Sequence, residues 1–305
     1  MSEPLALPDD RDVILALPAF RRLAGKTQVL VAPRDFTLRS RLTHTLEVAA
    51  MARYLARRIG LDEALAEAIA LAHDIGHPAF GHAGEQALAR HTACGFHHAA
   101  HGVRVLTLLA PAGVALRSAV LDGVLKHSKG KSGPTFARGP ALSTTSAEAR
   151  VVRAADLFAY AWHDLEDAYA LRLLAPEDLP SAATAVLGSN PTDVRSTLLS
   201  HTLSASDASC IALPAVTEQA LEALRAHLYA NLYESSLLRE QTERAYACVG
   251  RLLDSYADNE EAFLRAAGRV RSPDASHERR AVDAVASLGD SEALALESEL
   301  AREAA

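Results

Sequence analysis

The sequence predicts an all-α protein, and three observations support this fold class. Ala and Leu, both strong helix formers, dominate the apolar residues, which make up 49% of the 305 positions, while aromatic residues make up 5%. Residues 39–59 carry apolar side chains at the spacing of an amphipathic helix. Almost no segment shows the strict alternation of a β-strand. We therefore expect one helical globule with close helix–helix contacts.

The N-terminal half is predicted to be a series of short helices. Residues 10–31 form a short helix and turn, and residues 39–59 form the amphipathic helix, in which Leu42, Leu46, Ala49, Ala50, Tyr54 and Leu55 share one face. The next helix covers 62–75: Asp62 is its N-cap, and Gly76 and Pro78 end it. Further helices are predicted at 83–92, 98–110 and 113–127.

The second half begins with a segment, 128–146, that is rich in Gly, Pro, Ser and Thr and contains Lys129, Lys131 and Arg138. We interpret it as a loop, either a solvated linker or a lid over an anionic ligand. The remaining segments are a helix at 147–172, a Pro-containing stretch at 176–216, helices at 217–239 and 241–257, and an acidic helical segment at 276–305.

Composition excludes several classes of function. The net charge of −7 argues against a broad nucleic-acid-binding surface. Cys94, Cys210 and Cys248 form no CxxC pair, so neither a zinc knuckle nor a disulfide framework is indicated. No apolar run approaches the ~18 residues of a membrane span, and the N-terminal segment lacks a basic, apolar targeting pattern. We expect a cytoplasmic protein that binds no membrane.

Histidines are concentrated in one part of the chain: seven of the 13 lie between residues 73 and 101. His73 and Asp74 end an apolar helix, where the negative pole of the helix dipole favours a cation, and His77 follows. His44 and Asp156, each on an apolar helical face, are the other candidate ligands. Taken singly, each has a structural explanation: a hydrogen-bonded core histidine, or an aspartate that caps a helix or pairs with arginine. Taken together, they favour a divalent-cation site.

The motif His73-Asp74-Ile-Gly-His-Pro-Ala-Phe-Gly-His82, with an earlier His44 and a later Asp156, resembles the HD superfamily of metal-dependent phosphohydrolases. More narrowly, the chain resembles the deoxynucleoside triphosphate (dNTP) triphosphohydrolases, the dGTPase-like family. The supporting strings are DRDVILALPAFRRLAGKTQV, RSRLTHTLEVA, AEAIALAHDIGHPAFGHAGEQAL, FHHAAHGVRVL, GVLKHS and SAEARVVRAADLFAYAWHDLEDA. The resemblance implies an HD-domain helical bundle, the catalytic core, at 1–172 and a C-terminal helical extension packed on it at 173–305.

The resemblance also implies roles for individual residues. The implied metal ligands are His44, His73, Asp74 and Asp156; the implied catalytic residues are His77, His98 and Asp74; the implied substrate-binding residues are Gln28, Arg41, His82, Tyr160 and Asp164. Lys126 is a further candidate, because its charge would neutralise a polyphosphate. Helical spacing alone puts Asp156, Tyr160 and Asp164 on one face, about 12 Å long. The chain departs from the family pattern at His97, Ala99, His101 and Leu157.

These residues lead to an expected reaction, in which water activated by a divalent metal attacks the α-phosphorus of a dNTP and releases deoxynucleoside and inorganic triphosphate. The ligand set suits Mn²⁺ or Mg²⁺, and also Fe²⁺ or Co²⁺. His77 or His98 would donate the proton. The resemblance further implies a nucleotide activator and a homo-oligomer, a tetramer or hexamer. Two alternatives stay open: another HD phosphohydrolase, such as a 5′-nucleotidase or guanosine polyphosphate hydrolase, and a non-catalytic nucleotide-sensing regulator.

Overall fold

The structure, a computed structural model, describes residues 9–29, 37–93, 95–128, 145–269, 271–274 and 276–303. Within these ranges the regular secondary structure is helical, and one isolated β-bridge pairs Thr27 with Ser40. The predicted all-α class is therefore confirmed. No described helix has both the length and the apolar character that crossing a membrane requires.

Eight α-helices precede residue 171 in the described part of the chain. They are α1 (Asp10–Ala16), α2 (Pro18–Arg22), α3 (Arg41–Ile59), α4 (Glu63–Ala72), α5 (Gly81–His91), α6 (His98–Thr107), α7 (Ser118–Lys126) and α8 (Ala147–Ala170). Asp62 caps α4 as predicted, since its side chain accepts a hydrogen bond from the amide of Leu65. Of the predicted loop at 128–146, residues 129–144 lie outside the described ranges, so the choice between linker and lid stays open.

Seven α-helices follow α8 within the described ranges. They are α9 (Ser181–Leu187), α10 (Pro191–Ala205), α11 (Ala215–Leu228), α12 (Ser236–Asp258), α13 (Glu260–Ala266), α14 (His277–Ala286) and α15 (Asp290–Glu303), with a π-helical turn at Tyr229–Tyr233. The stretch at 176–216 is more helical than its prolines suggested. Pro191 starts α10 rather than breaking it, because proline at the first helical position costs no hydrogen bond and already has a helical φ.

The buried apolar side chains form two clusters. The larger one unites α3, α4 and α8 with α1, α7 and the helices α9–α11, and α3 packs extensively on both α4 and α8. The smaller one joins α5 to the C-terminal helices α12–α15. Helices on both sides of residue 172 thus share the larger core, and the division of the chain at that residue stays a prediction.

The buried face of α3 differs from the sequence expectation. Val48, Met51, Ala52 and Leu55 are buried, whereas Leu46 and Tyr54 are each 46% exposed. Of the six residues predicted to share one face, Ala49 and Leu55 are buried, whereas Leu46, Ala50 and Tyr54 are exposed, so the predicted face is not the buried one. The buried face is rotated around the helix axis relative to the predicted one, because α3 turns His44 and Thr45 inward toward α4 and α8.

Two buried polar side chains tie the C-terminal helices to the turn after α4. Lys26 donates hydrogen bonds from Nζ to the carbonyls of His77 and of Ala286, at the end of α14. Asp290, the first residue of α15, accepts a hydrogen bond from the amide of Phe80 at 2.8 Å and another from the hydroxyl of Thr27. The turn that carries the histidine motif is therefore held from behind by residues remote in sequence.

Replacing Asp290 by Ala is expected to destabilise the fold. The substitution leaves the buried amide of Phe80 and the hydroxyl of Thr27 without their shared acceptor, at a cost of about 1–3 kcal/mol. Urea unfolding measures this difference. Glu299→Ala, at an exposed position of the same helix, is the control and is expected to stay within about 0.5 kcal/mol of the parent. Equal stability of the two variants would contradict this role for Asp290.

Candidate metal centre and active site

The four candidate metal ligands lie where α3, α4 and α8 meet. His44 is in the first half of α3, His73 is the C-cap of α4 with Asp74 directly after it, and Asp156 is near the middle of α8. Because these helices pack on one another in the larger core, their facing side chains are brought into one buried pocket.

The ligand atoms of these side chains are close together. Nε2 of His44 lies 3.1 Å from Oδ1 of Asp156, and Nε2 of His73 lies 3.6 Å from the same oxygen. Oδ1 of Asp74 is 3.5 Å from Nε2 of His73, and Oδ2 of Asp74, which pairs with Arg41, is 4.0 Å from Nε2 of His44. Ligands around one octahedral cation with bonds near 2.1 Å are separated by about 3 Å when adjacent and about 4.2 Å when opposite. The four separations fall in this range. The ligand atoms of His44, His73 and Asp156 all lie within 4.8 Å of one another, and Asp74 adjoins this group.

The donor set fits a divalent cation. The ring Nδ1 of His73 lies 2.6 Å from the carbonyl oxygen of Ala70, which can only accept a hydrogen bond. The ring proton is therefore on Nδ1, and Nε2 faces the pocket. That Nε2 is buried and has no hydrogen-bond partner among the described residues. Two imidazole nitrogens and two carboxylates are the ligands that Mn²⁺, Fe²⁺ or Mg²⁺ accept.

Asp74 is buried and is surrounded by positive or polarisable groups. Arg41, which is also fully buried, forms an ion pair with Asp74 at 2.5 Å. Burial opposes ionisation of Asp74, but His73, Arg41 and His77 hold its pKa well below the usual range. Conversely, burial alone would lower the pKa of His73, and the charge of Asp74 and its contact with Asp156 raise it to about 9. The pocket is thus built around ionised carboxylates.

A second group of histidines lies beside the candidate ligands. The rings of His77 and His98 stack at a centroid distance of 4.0 Å. Glu85 holds His98 twice: its carboxylate accepts a hydrogen bond from the backbone amide at 2.8 Å and lies 2.9 Å from the ring Nδ1. The other oxygen of Glu85 lies 3.0 Å from Nδ1 of His82. Burial lowers the pKa of His98, and Glu85 opposes this shift.

A close approach between two glycines positions this second group. The turn after α4 packs against α6 at Gly76, where a Cβ atom would lie 2.1 Å from the carbonyl of His98 and 2.2 Å from the amide of Gly102. No other residue fits at Gly76 without moving α6. The contact therefore brings His98, the first residue of α6, against His77.

The structure also places His127 in this pocket, a residue that the sequence did not single out. His127 is the C-cap of α7, and its Nδ1 lies 2.7 Å from the carbonyl of Val124. Its Nε2 faces Nε2 of His98 at 3.3 Å. His73 is held in the same way at the end of α4, which makes a helix C-cap histidine the signal that could have identified His127. Lys126, the neighbouring candidate for substrate binding, forms an ion pair with Asp122.

Gln28, Tyr160 and Asp164 are three of the implied substrate-binding residues. The hydroxyl of Tyr160 lies 3.2 Å from Nε2 of His82. Gln28 and Asp164 are buried, and both amide atoms of Gln28 and one oxygen of Asp164 lack hydrogen-bond partners in the described residues. The other oxygen of Asp164 accepts a hydrogen bond from Tyr233, in the π-helical turn, and burial raises the pKa of Asp164 well above its usual range.

Sequence reasoning missed Glu85, His127 and Tyr233. Glu85 follows His82 by three residues on α5, so one turn of helix puts both carboxylate and imidazole on the same side. Tyr233 offered no signal, because its contact with Asp164 depends on how the C-terminal half folds back onto α8.

Comparison with known proteins identifies two family models in this chain. An HD domain matches residues 41–161, and a phosphohydrolase-associated domain matches residues 211–299. The first range contains all four candidate metal ligands, and HD domains bind divalent metals. A solved structure of a hypothetical protein from Aquifex aeolicus covers 85% of this chain and 65% of its own length, with 14% identity and a TM-score of 0.48.

Curated relatives match most of the chain. A deoxyguanosinetriphosphate triphosphohydrolase-like protein of Desulfatibacillum aliphaticivorans is 37% identical over 268 residues, which cover 86% of this chain and 76% of the relative. A protein of the same description from Caldanaerobacter subterraneus is 36% identical over 93% of this chain and 81% of its own. The chain therefore belongs to the deoxyguanosinetriphosphate triphosphohydrolase-like family of HD-domain phosphohydrolases.

Proposed function

We propose that this protein hydrolyses dNTPs to deoxynucleoside and inorganic triphosphate with the help of one divalent cation, Mn²⁺ or Mg²⁺. The observation that carries the proposal is the buried cluster of His44, His73, Asp74 and Asp156 beside a histidine–carboxylate pair, in a chain of this family. The proposal includes a nucleotide activator and a tetrameric or hexameric assembly, which rest on the family resemblance.

His44, His73, Asp74 and Asp156 would hold the cation. When bound, such a cation polarises a phosphate ester and acidifies water. Asp74 would also keep Arg41 in place, since the two form a buried ion pair. Arg41 has two buried guanidinium nitrogens without hydrogen-bond partners in the described residues, and these would donate to phosphate oxygens.

His98 is the better candidate for the proton donor. Its Nδ1 faces the carboxylate of Glu85, which would stabilise the imidazolium form and orient the ring. His77 has no such carboxylate on Nδ1, and burial together with Arg41 holds its pKa well below the usual range. His77 would therefore stay neutral and contact phosphate as a hydrogen-bond partner.

The sugar would lie beside the metal ligands, in contact with Gln28, Tyr160 and Asp164. The unpaired amide of Gln28 and the unpaired oxygen of Asp164 offer a donor and acceptors to the 3′-hydroxyl of a deoxyribose. Tyr160, on the same face of α8 as Asp156, would pack on the sugar ring, and His82 would contact the phosphates. Burying the polar atoms of Gln28 and Asp164 without hydrogen-bond partners costs free energy. This cost favours a role for them in binding a ligand.

Identification of the phosphorus product tests the proposed reaction. The purified chain is incubated with each of the four dNTPs and Mn²⁺, and the products are separated by ion chromatography. We expect inorganic triphosphate and deoxynucleoside in equal amounts. Orthophosphate or pyrophosphate would instead indicate a different HD phosphohydrolase. Tight nucleotide binding without turnover would indicate a nucleotide-sensing regulator.

Asp156→Asn tests the metal ligands with little risk to the fold. Asp156 is partly exposed, at 19%, and the amide keeps its shape, so helical content should be unchanged while bound Mn²⁺ and hydrolysis are lost. Asp74→Ala is less informative, because it strands the buried Arg41 and would cost about 3–5 kcal/mol. Full metal content and activity in Asp156→Asn would remove Asp156 from the site.

Glu85→Gln tests the proton donor. Loss of the carboxylate should lower kcat by about 10²- to 10⁴-fold, because His98 loses the group that stabilises its protonated form. Bound Mn²⁺ should stay at the parental level. Glu63→Gln, which removes a surface carboxylate paired with Arg53 and Arg57, is the control and should keep the parental kcat. A kcat for Glu85→Gln equal to that of this control would contradict the role of the His98–Glu85 pair.

A further inference from the structure

Three side chains outside the candidate metal ligands form a continuous chain of contacts that ends on His44. Nδ1 of His44 lies 3.1 Å from Nδ1 of His163, in α8. Nε2 of His163 lies 2.7 Å from Oε2 of Glu47, in α3. Glu47 in turn accepts a hydrogen bond from Nε of Arg39 at 2.9 Å. The side chains of both histidines are fully buried.

Helix periodicity explains how α8 holds both nitrogens of one imidazole. Asp156 and His163 are seven residues apart, which is two helical turns, so both point from α8 toward α3. Asp156 meets Nε2 of His44, and His163 meets Nδ1. Glu47 follows His44 by three residues on α3 and therefore lies on the same side, within reach of His163.

The contacts determine where the protons must be when His44 binds a cation. A neutral imidazole that ligates through Nε2 carries its proton on Nδ1. In His44 that proton points at Nδ1 of His163, which must then accept it. The ring proton of His163 is left on Nε2, facing the carboxylate of Glu47. Oε2 of Glu47 lies 2.7 Å from this nitrogen, a charged contact that does not have the geometry of a regular hydrogen bond in this structure.

We propose that His163, supported by Glu47, is a positioning residue that keeps His44 in the Nδ1–H tautomer and thereby sets the affinity of the site for its divalent cation. His73 reaches the same tautomer through the carbonyl of Ala70, so the two imidazoles of the site are oriented by different devices. His44 is oriented by the side chains of His163 and Glu47, and these can be changed by mutation. This inference rests on the metal site of the proposed function and does not depend on which phosphate bond is cleaved.

The main alternative is that His163 only fills space in the core. Its ring packs edge-on against Trp162 at a centroid distance of 3.9 Å, and a hydrocarbon of similar shape would serve that purpose equally well. The two explanations therefore differ in their response to an aromatic ring without nitrogen atoms.

Calorimetric titration of the metal-free protein with Mn²⁺ at neutral pH separates the two explanations. His163→Phe keeps the ring and removes the acceptor, and we expect Mn²⁺ to bind about 10- to 100-fold more weakly. His163→Gln offers an amide oxygen to His44 and should recover most of the loss. His201→Phe, at a half-buried histidine that contacts Thr217, is the matched control and should bind Mn²⁺ like the parent.

The outcomes distinguish this inference from the proposed function. If the parent chain binds no Mn²⁺, the metal site itself is refuted. If the parent binds Mn²⁺ and folded His163→Phe binds it equally well, or if the Phe and Gln variants lose the same affinity, the positioning role is refuted. Should the Phe variant fail to fold, Glu47→Ala decides: it removes the acceptor at a half-exposed position and leaves the core intact, and an unchanged Mn²⁺ affinity would overturn the proposal.

Discussion

The structure depends on the burial of one carboxylate, that of Asp74. The packing of the helices buries it, and the chemistry of the site requires it to stay ionised. Removing a carboxylate from water is costly unless positive charge and hydrogen bonds compensate it. Arg41 supplies one compensating charge from α3, and the imidazoles of His73 and His77 supply polar contacts on either side. A divalent cation would supply the remainder. His73 thus both compensates the buried carboxylate and is one of the residues that would hold the metal.

The rest of the structure keeps this arrangement rigid. The turn from His73 to Phe80 has little regular hydrogen bonding of its own, and its conformation depends on neighbours. Gly76 allows α6 to approach from one side, while Lys26 and Asp290 secure the turn from the other. The C-terminal helices, within the region matched by the phosphohydrolase-associated domain, therefore support the HD motif directly. A site held to sub-ångström geometry requires such backing.

Local sequence patterns identified those parts of the site that depend on a single helix or turn. The helical class, the N-cap at Asp62 and the alignment of Asp156, Tyr160 and Asp164 follow from spacing alone. The metal ligands on α3, α4 and α8 were grouped by their residue types and by the family motif, not by spacing. Residues outside that motif were missed: His127 meets His98 only because α7 crosses α6, and His163 meets His44 only because α8 crosses α3. The misjudged face of α3 has the same origin, since apolar spacing alone does not reveal which side of α3 the helices α4 and α8 cover.

Anomalous diffraction from crystals grown with Mn²⁺ tests the central claim most directly. The account predicts one anomalous peak that is within bonding distance of Nε2 of His44, Nε2 of His73 and the carboxylates of Asp74 and Asp156, about 2.0–2.3 Å from each. A pocket without such a peak at saturating Mn²⁺, or a peak bound by other residues, would contradict it.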